Sequence, residues 1–477
     1  MIRIKNFTAN TNQHEPTRKN NRIISSCCLC GLWLILLSVS PLHAQQDIED
    51  ARRDTIRYGT DTEITALIQS LRNENADYLD NELIALALTS RNQGVLTGIF
   101  GFFGTREKGG LEERAIKAIS ERENETNETV LSAMDYLGRI KSDRGVPVIR
   151  EVLDTEERRF LGTGFRAIGR ASSSDKELAD DTADFLVDFY TYRLQGNDNQ
   201  STIIAAIGDT GSSIGVPFLI DLAGNPDERV PLRVAALSAL SKIGDNEGLE
   251  AILSCIGTND PNVRSAAVGA LGPFSGEAVD KAILDAFRDS YYRTRIAAAQ
   301  ASRDRRLAEA VPFLRYRAER DDVPNVKDEA IRALGAIANR EAIEALEILF
   351  YERKNADRVR ILAGEMLLKN SPEGNFKKAI IELDEAKTKN QTALYNGILR
   401  IIGEAVTESE KTDAENIARR FMQSGTPVEK MYGLDIAANN NLTALRAEIL
   451  TLANERNDSI KRRAVRTAEK LGIEIPE

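Results

Sequence analysis

The sequence is poor in the side chains that do most protein chemistry. Its 477 residues include two histidines, four cysteines, one tryptophan and five methionines, and aromatic residues make up only 6%. Most of these scarce residues sit at the front. His14, His43, Trp33, Cys27, Cys28 and Cys30 fall within the first 44 residues, which leaves Cys255 as the only later cysteine and no later histidine at all. One thiol closes no internal disulfide in any compartment. A chain without histidine has no imidazole for metal ligation or for acid–base work near neutral pH. No catalytic residue, metal site or cofactor is therefore expected.

The first 44 residues read as a leader. Arg18, Lys19 and Arg22 precede an apolar run from Ile23 to Val39, Pro41 breaks the helix, and "LHA" ends at Ala44. A basic flank, a short apolar core and a small residue before "QQD" describe a secretory signal peptide over 1–44. The alternative is an uncleaved anchor, because the run approaches bilayer-spanning length. A lipoprotein reading from Ile24 to Cys27 fails, since the apolar run follows that cysteine. The mature protein is then exported, periplasmic or secreted. Five of the 63 Lys/Arg and one of the 73 Asp/Glu leave with the leader, so 58 bases face 72 acids and the net charge is near −14. Such a balance opposes binding to nucleic acid, and to anionic membrane beyond the leader itself.

What the chain has in abundance is one repeated sentence. "RVPLRVAALSALS", "DPNVRSAAVGALG", "VPNVKDEAIRALG" and "ADRVRILAGEMLL" begin at 229, 260, 323 and 356. Registered on a basic residue, the column reads Arg233, Arg264, Arg295, Lys327, Arg360, Lys430 and Lys461, at intervals of 31, 31, 32, 33, 70 and 31. The long interval hides "TALYNGILRIIG" (392–403), with Tyr395 in the basic slot. A fixed period in the thirties marks a helical repeat array. Each unit reads as two helices. In the first, Val263, Ala266, Ala267, Ala270 and Leu271 share a face, with Gly272, Gly335 and Gly472 expected to end their helices in left-handed conformation. In the second, Val279, Ile283 and Phe287 share a face, and Pro147, Pro217 and Pro312 mark helix starts. One pair cannot bury its apolar faces alone, so the units must stack. Stretches 127–140, 158–170 and 200–212 open further units. The expectation is an all-α fold, an α-solenoid built as a superhelix of stacked antiparallel helix pairs. It would run over 111–477, after an N-terminal helical capping region of degenerate repeats over 45–110.

"DPNVRSAAVGALG", "VPNVKDEAIRALGAIANREAIEAL" and "LRVAALSALSKIGDNEGLEAIL" resemble HEAT repeats, in the short form of the phycobilin-lyase-type HEAT-like family. The resemblance covers roughly residues 110 to 472, and exported proteins of this design resemble those of spirochaetes and other two-membrane bacteria. It speaks to fold and says little of function. It also implies that the Arg/Lys column is a structural ladder, each base pairing with an acidic turn residue such as Asp227, Asp260, Asp357 or Asp458. A ligand-binding stripe is the other reading.

Three stretches have the look of chemistry. "GSSIG" (211–215) matches the G-x-S-x-G nucleophile elbow with Ser213, but that motif needs a strand-to-helix turn and a histidine, so an inter-helix turn is expected. Cys255, in "AILSCIG", reads as a buried structural thiol, with bilin or thioether attachment as the alternative. "QGVLTGIFGFFGTREKGG" (93–110) is either an exposed Gly/Phe loop or a repeat helix. The spacing of Leu96, Ile99, Phe100 and Phe103 favours the helix, with "GTREKGG" as a mobile loop after it.

The most informative anomaly is charge. Arginines 293, 295, 303, 305, 306, 315, 317 and 320 face only Asp304, Glu309 and Glu319, a local balance of about +5 in an acidic chain. Tyr291, Tyr292 and Tyr316 are interleaved with them, and Arg with Tyr is typical of binding hot spots. Tyr292, Arg293, Arg303, Arg305, Arg306, Arg315, Tyr316 and Arg317 are the candidate contact residues for a protein or extended peptide, an acidic one fitting best. A solvated face with ion pairs to neighbouring units is the plain alternative. A second cluster, Lys461, Arg462, Arg463 and Arg466, fits a polar cap on the last unit. The function expected is a non-enzymatic exported scaffold that binds a partner through the solenoid surface. The alternative is a lyase-like enzyme or enzyme accessory acting on a bound small molecule.

Overall fold

The unit that opens at Asp260 shows how the repeated sentence folds. The Asp260 carboxylate accepts hydrogen bonds from the backbone N–H groups of Asn262 (2.8 Å) and Val263 (3.1 Å), capping the helix Pro261–Ala270. Pro261 takes the first position, where a missing N–H loses nothing. Val263, Ala267, Ala270 and Leu271 are buried and Ala266 partly so. The second helix, Glu277–Ala286, buries Val279 and Ile283, with Phe287 buried just past its end.

The structure is a computed structural model that describes residues 41–475 apart from 195, 197 and 407–410. The leader expected over 1–44 lies outside these residues except for its last four, which belong to the helix Pro41–Tyr58. Twenty-six α-helices and no strand occur among the described residues. Between Pro41–Tyr58 and the last helix, Asp458–Lys470, the other twenty-four form twelve consecutive pairs. First helices stack on first helices, and second helices lie against the first helix of the following unit. One buried apolar cluster runs unbroken from Ile56 to Ile473. The expected all-α solenoid is what forms. No helix among the described residues is long and apolar enough to cross a membrane.

Pro147, Pro217 and Pro312 stand in the first turn of the helices Val146–Asp154, Val216–Gly224 and Val311–Arg320, as their spacing predicts. The glycines divide. Gly472 adopts φ +66 after the last helix and ends it as expected. Gly335 does not end its helix. It lies inside Pro324–Ile337, where a Cβ would come within 2.7 Å of Met366 Sδ, and Ala338 (φ +49) takes the left-handed position instead. Gly272 follows its helix without a left-handed φ. At Gly169, in the helix Arg158–Ser172, a Cβ would sit 2.5 Å from the Ala206 carbonyl oxygen of the next first helix. Small residues thus set how tightly the first-helix layer closes.

Residues 93–110 resolve in favour of the helix. Gln93–Thr105 is α-helical, capped by the Asn92 side chain, and Leu96, Ile99, Phe100, Phe102 and Phe103 are fully buried. Each such side chain contributes about 1.5–3 kcal/mol through burial. The tail that follows is not the loose loop expected. Arg106 holds the buried Asp80 carboxylate through two bonds of 2.7 and 2.9 Å, and Lys108 adds a third at 2.5 Å. A buried carboxylate needs such partners, and meeting that need pins the tail.

Candidate functional site

The Arg/Lys column faces inward except at Lys461, which is exposed. Arg233, Arg295 and Arg360 are buried, and the column side chains reach back to the end of the preceding second helix. Arg233 Nε donates to Ala223 O (3.0 Å), Lys327 Nζ to Glu319 O (2.9 Å) and Arg360 Nε to Phe350 O (2.9 Å), each a carbonyl of a helix's last turn. Arg264 and Arg295 reach turn carbonyls in the same way, Arg264 at Thr258 and Asn259, Arg295 at Asp289 and Ser290. A cation placed there satisfies orphan carbonyls and offsets the negative end of the helix dipole.

The acids that meet the column differ from those expected. Arg264 pairs with Asp289 (2.9 Å), Arg295 with Asp321 (2.8 Å), Arg360 with Glu382 (2.6 Å) and Lys430 with Glu455 (2.8 Å). Asp227, Asp260, Asp357 and Asp458 accept no hydrogen bond from the column among the described residues; Asp260 is spent as a helix cap. Arg264, Arg295 and Arg360 thus tie the end of the preceding second helix to their own unit's second helix or the turn after it, while Arg233 and Lys327 make only the first of these contacts and Lys430 only the second. Burial pushes the Asp321 carboxyl up, but its hydrogen bonds with Arg295 outweigh this and hold it below the ordinary carboxylate range. Asp289 behaves likewise under Arg264. Where Tyr395 replaces the base, its hydroxyl donates to the buried Glu429 (2.5 Å), which also receives Lys387 Nζ (2.9 Å). Burial raises the Glu429 carboxyl, yet hydrogen bonding with Ser424, Tyr395 and Lys387 prevails and holds it at about 2. The column is a structural ladder.

The other chemical motifs are quiet. Ser213 lies in a 3-10 turn, Ser213–Gly215, between two helices, and its hydroxyl donates to Asp245. Gly211 is left-handed at φ +71 because it ends the preceding helix. That is a turn, with neither the strand nor the histidine a nucleophile elbow requires. Cys255 is buried, 3.5 Å from the Ala223 carbonyl oxygen. No group of His, Cys, Asp and Glu suited to a metal ion occurs among the described residues. On the last helix, Arg463 pairs with Asp435 (2.8 Å), while Lys461, Arg462 and Arg466 are exposed.

The arginine–tyrosine segment does not form one surface. Arg293 is exposed at the start of the first helix Tyr292–Asp304, its guanidinium 3.1 Å from the Tyr292 hydroxyl. Arg303, near that helix's end, pairs with Glu329 of the next first helix. Arg305, in the turn, pairs with Asp280 of the preceding second helix; Arg306 beside it is exposed at φ +49. Arg303 and Arg305 thus join units, as the ion-pair alternative holds. Arg315, Tyr316 and Arg317 lie on the second helix Val311–Arg320. Tyr316 is 55% exposed, with the Arg317 guanidinium 5.3 Å from its ring centre. Arg315 pairs with Glu319 (3.0 Å) along the same helix.

An open groove flanks Tyr316 on each side. One, of about 420 Å³, is lined by Arg288, Pro312, Phe313, Tyr316 and Arg317. Its floor is built by the stack of Phe287 on Phe313 (5.7 Å), and Arg288 lies 5.3 Å from the Phe313 ring centre. The other, of about 430 Å³, lies towards the helix Arg340–Tyr351 and includes Arg315, Tyr316, Glu319, Glu341, Glu344 and Ile348. Reading the charge run from residue 293 onward missed Arg288, Phe313 and the two glutamates. Phe313 shares the helix of Tyr316, and Arg288, Glu341 and Glu344 belong to the second-helix segments on either side of it.

The sequence matches the family model described as Spirochaete HEAT repeat protein over residues 56–467. No curated protein matches it. Among solved structures, Kap121p is similar at 11% identity and a TM-score of 0.41, covering 90% of this chain and 54% of that one. Importin beta is similar at 12% identity and a TM-score of 0.38, covering 91% and 71%. YIBA of E. coli is similar at 15% identity and a TM-score of 0.33, covering 63% and 96%. The chain thus spans about half the length of Kap121p.

Proposed function

The chain belongs to the spirochaete HEAT repeat protein family, and from that premise we propose that it is a non-enzymatic, exported scaffold holding another protein or an extended peptide against its second-helix layer. The observation that carries this reading is Tyr316: a large aromatic side chain, more than half exposed, set between Arg315 and Arg317 with an open groove on either side. Tyrosine and arginine on a rigid helix supply contact area at low entropic cost and dominate binding energy in protein interfaces. Rigidity comes from the ladder and the continuous core beneath. The leader over 1–44 supports export, with the processed chain beginning after Ala44. The lyase-like alternative gains no support from Cys255, whose thiol is buried inside the stack.

Crosslinked affinity capture from the native cell envelope tests the reading. The unaltered chain is expected to retain a protein partner that Arg315→Glu combined with Tyr316→Ala releases. Retention of every partner by that variant, or its conversion of a small molecule with no protein bound, overturns it. Mass measurement of the protein isolated from the envelope checks export, with Gln45 as the expected first residue.

A further inference from the structure

The two grooves beside Tyr316 are alike in size and opposite in charge. Arg288 and Arg317 line the first, and no acid shares that lining. The neighbouring acids are already engaged: Asp289 by Arg264 and Asp321 by Arg295, with Arg317 itself at 3.4 Å from Asp321, which leaves Arg288 only the exposed Asp285 at 3.2 Å. In the second groove Arg315 is outnumbered by Glu319, Glu341 and Glu344. Glu319 takes the Arg315 bond and Glu344 that of Arg340 (2.9 Å), while Glu341 is exposed. The lining charges thus come to +2 on one side of the helix and −2 on the other. Apolar surface joins the two halves, through Phe313 and Pro312 on one flank and Ile348 on the other.

We propose that these grooves form one site for an extended peptide that crosses the helix Val311–Arg320 at Tyr316, with an acidic residue over Arg288 and Arg317, an apolar residue against Tyr316, and a basic residue over Glu341 and Glu344. The inference rests on the scaffold reading and gives it a ligand chemistry. Spacing follows from geometry. Packed helices stand about 8–10 Å apart, and an extended chain advances about 3.3–3.6 Å per residue, so the acid and base are about three residues apart. The order of charges also fixes the direction of reading: acid towards the N-terminal units, base towards the C-terminal ones. The acidic character that the arginine count favours in a partner gives way to one carrying both charges.

Selection of phage-displayed random twelve-residue peptides on the full chain is the test. Enriched sequences are expected to carry an acid and a base about three residues apart around an aromatic or aliphatic residue. Synthetic copies should bind about tenfold more weakly, or worse, to Arg288→Glu/Arg317→Gln and to Glu341→Lys/Glu344→Lys. Combining the two charge changes should restore binding to a copy with its acid and base exchanged. Unchanged melting of each variant controls for folding: Arg288, Glu341 and Glu344 are exposed, and Arg317, partly buried, is a minor partner of Asp321 at 3.4 Å beside Arg295 at 2.8 Å. Enrichment of peptides without the charge pair, no enrichment, or equal binding to both groove variants overturns the proposal. If peptides or the native partner crosslink to other units instead, this site falls while the scaffold reading stands. If the chain captures no protein in its native envelope, the scaffold reading itself falls.

Discussion

Arg295→Met removes five hydrogen bonds at once: two to Asp321 at 2.8 Å, one to Asp322 at 3.1 Å, and those to the carbonyls of Asp289 and Ser290 at 3.0 and 3.1 Å. The Asp321 side chain has no exposure, so the change leaves a carboxylate inside the stack with the Val323 N–H (3.0 Å) and Arg317 (3.4 Å) as its partners. Breaking a buried pair by deleting one member costs about 3–5 kcal/mol, a large part of the ~5–15 kcal/mol that holds an ordinary domain. Asp321→Leu should cost somewhat less, because Arg295 retains two carbonyls and the exposed Asp322. The double variant should be less destabilised than either single one, since replacing a buried pair with apolar side chains is often neutral. Guanidinium unfolding followed by helical circular dichroism supplies the double-mutant cycle. Hydrogen exchange shows where the loss falls, because repeat arrays open locally, and residues 289–325 should lose protection first. A solvent-facing stripe would behave differently, each change staying within about 1 kcal/mol. If Arg295→Met lies within that range, or protection falls evenly along the chain, the ladder is wrong.

Gly169→Ala should destabilise by about 1–3 kcal/mol in the same unfolding assay, because the new Cβ meets the Ala206 carbonyl oxygen at 2.5 Å and a backbone cannot rotate away. Gly224→Ala, with nothing within 4 Å, should be neutral or gain up to about 1 kcal/mol from helix propensity; equal effects at both sites would refute the close-packing argument. Acid should weaken the stack. Asp289, Asp321 and Glu429 have folded pKa values below their unfolded ones, so their contribution is complete above the unfolded values and fades as pH falls through the folded ones. Melting temperature should be level from pH 7 to about 5 and drop below about 4, with Glu429 protonating at about 2. A rise in melting temperature between pH 5 and pH 3 contradicts this.

The fold was legible because period and burial are the same fact. Residues spaced to share a helix face, such as Val263, Ala267 and Ala270, must be buried against a neighbour, and the recurrence of that face leaves stacking as the one way to cover it. The column of bases was legible as a column for the same reason. Its partners were not. Period states the height of Arg264 in the stack, but Asp260 and Asp289 both lie at unit boundaries, and a choice between them depends on which acid is needed as a helix cap. Gly335 and Gly272 occupy matching places in the repeated sentence, eight residues after Lys327 and Arg264, yet Gly335 lies inside its helix and makes room for Met366 while Gly272 follows a helix already ended. Only the neighbouring helix decides between those uses, and a single unit does not contain it.

The same reasoning separates the candidate site from the charge run that pointed to it. In a stack, a charged side chain on a first helix lies within reach of the next first helix, and Arg303 and Arg358 are drawn into pairs with Glu329 and Asp328 across that short gap. The Arg305 turn is similarly closed by Asp280. Some second helices are joined likewise, as by Arg150 with Asp181 and Lys378 with Glu347, but among the described residues no ion pair links Val311–Arg320 to the second helix on either side. Arg317 and Tyr316 stay accessible there, and Arg288, outside the run but one unit away on the same layer, becomes their companion. A cluster in sequence thus scatters over two layers, while residues of three consecutive second-helix segments converge. Binding surfaces in this fold are therefore to be sought across neighbouring second-helix segments, after the charges spent between units have been set aside. Applied to Tyr316, that rule yields a bipolar groove; a linear count of arginines yields a basic patch that the structure does not contain.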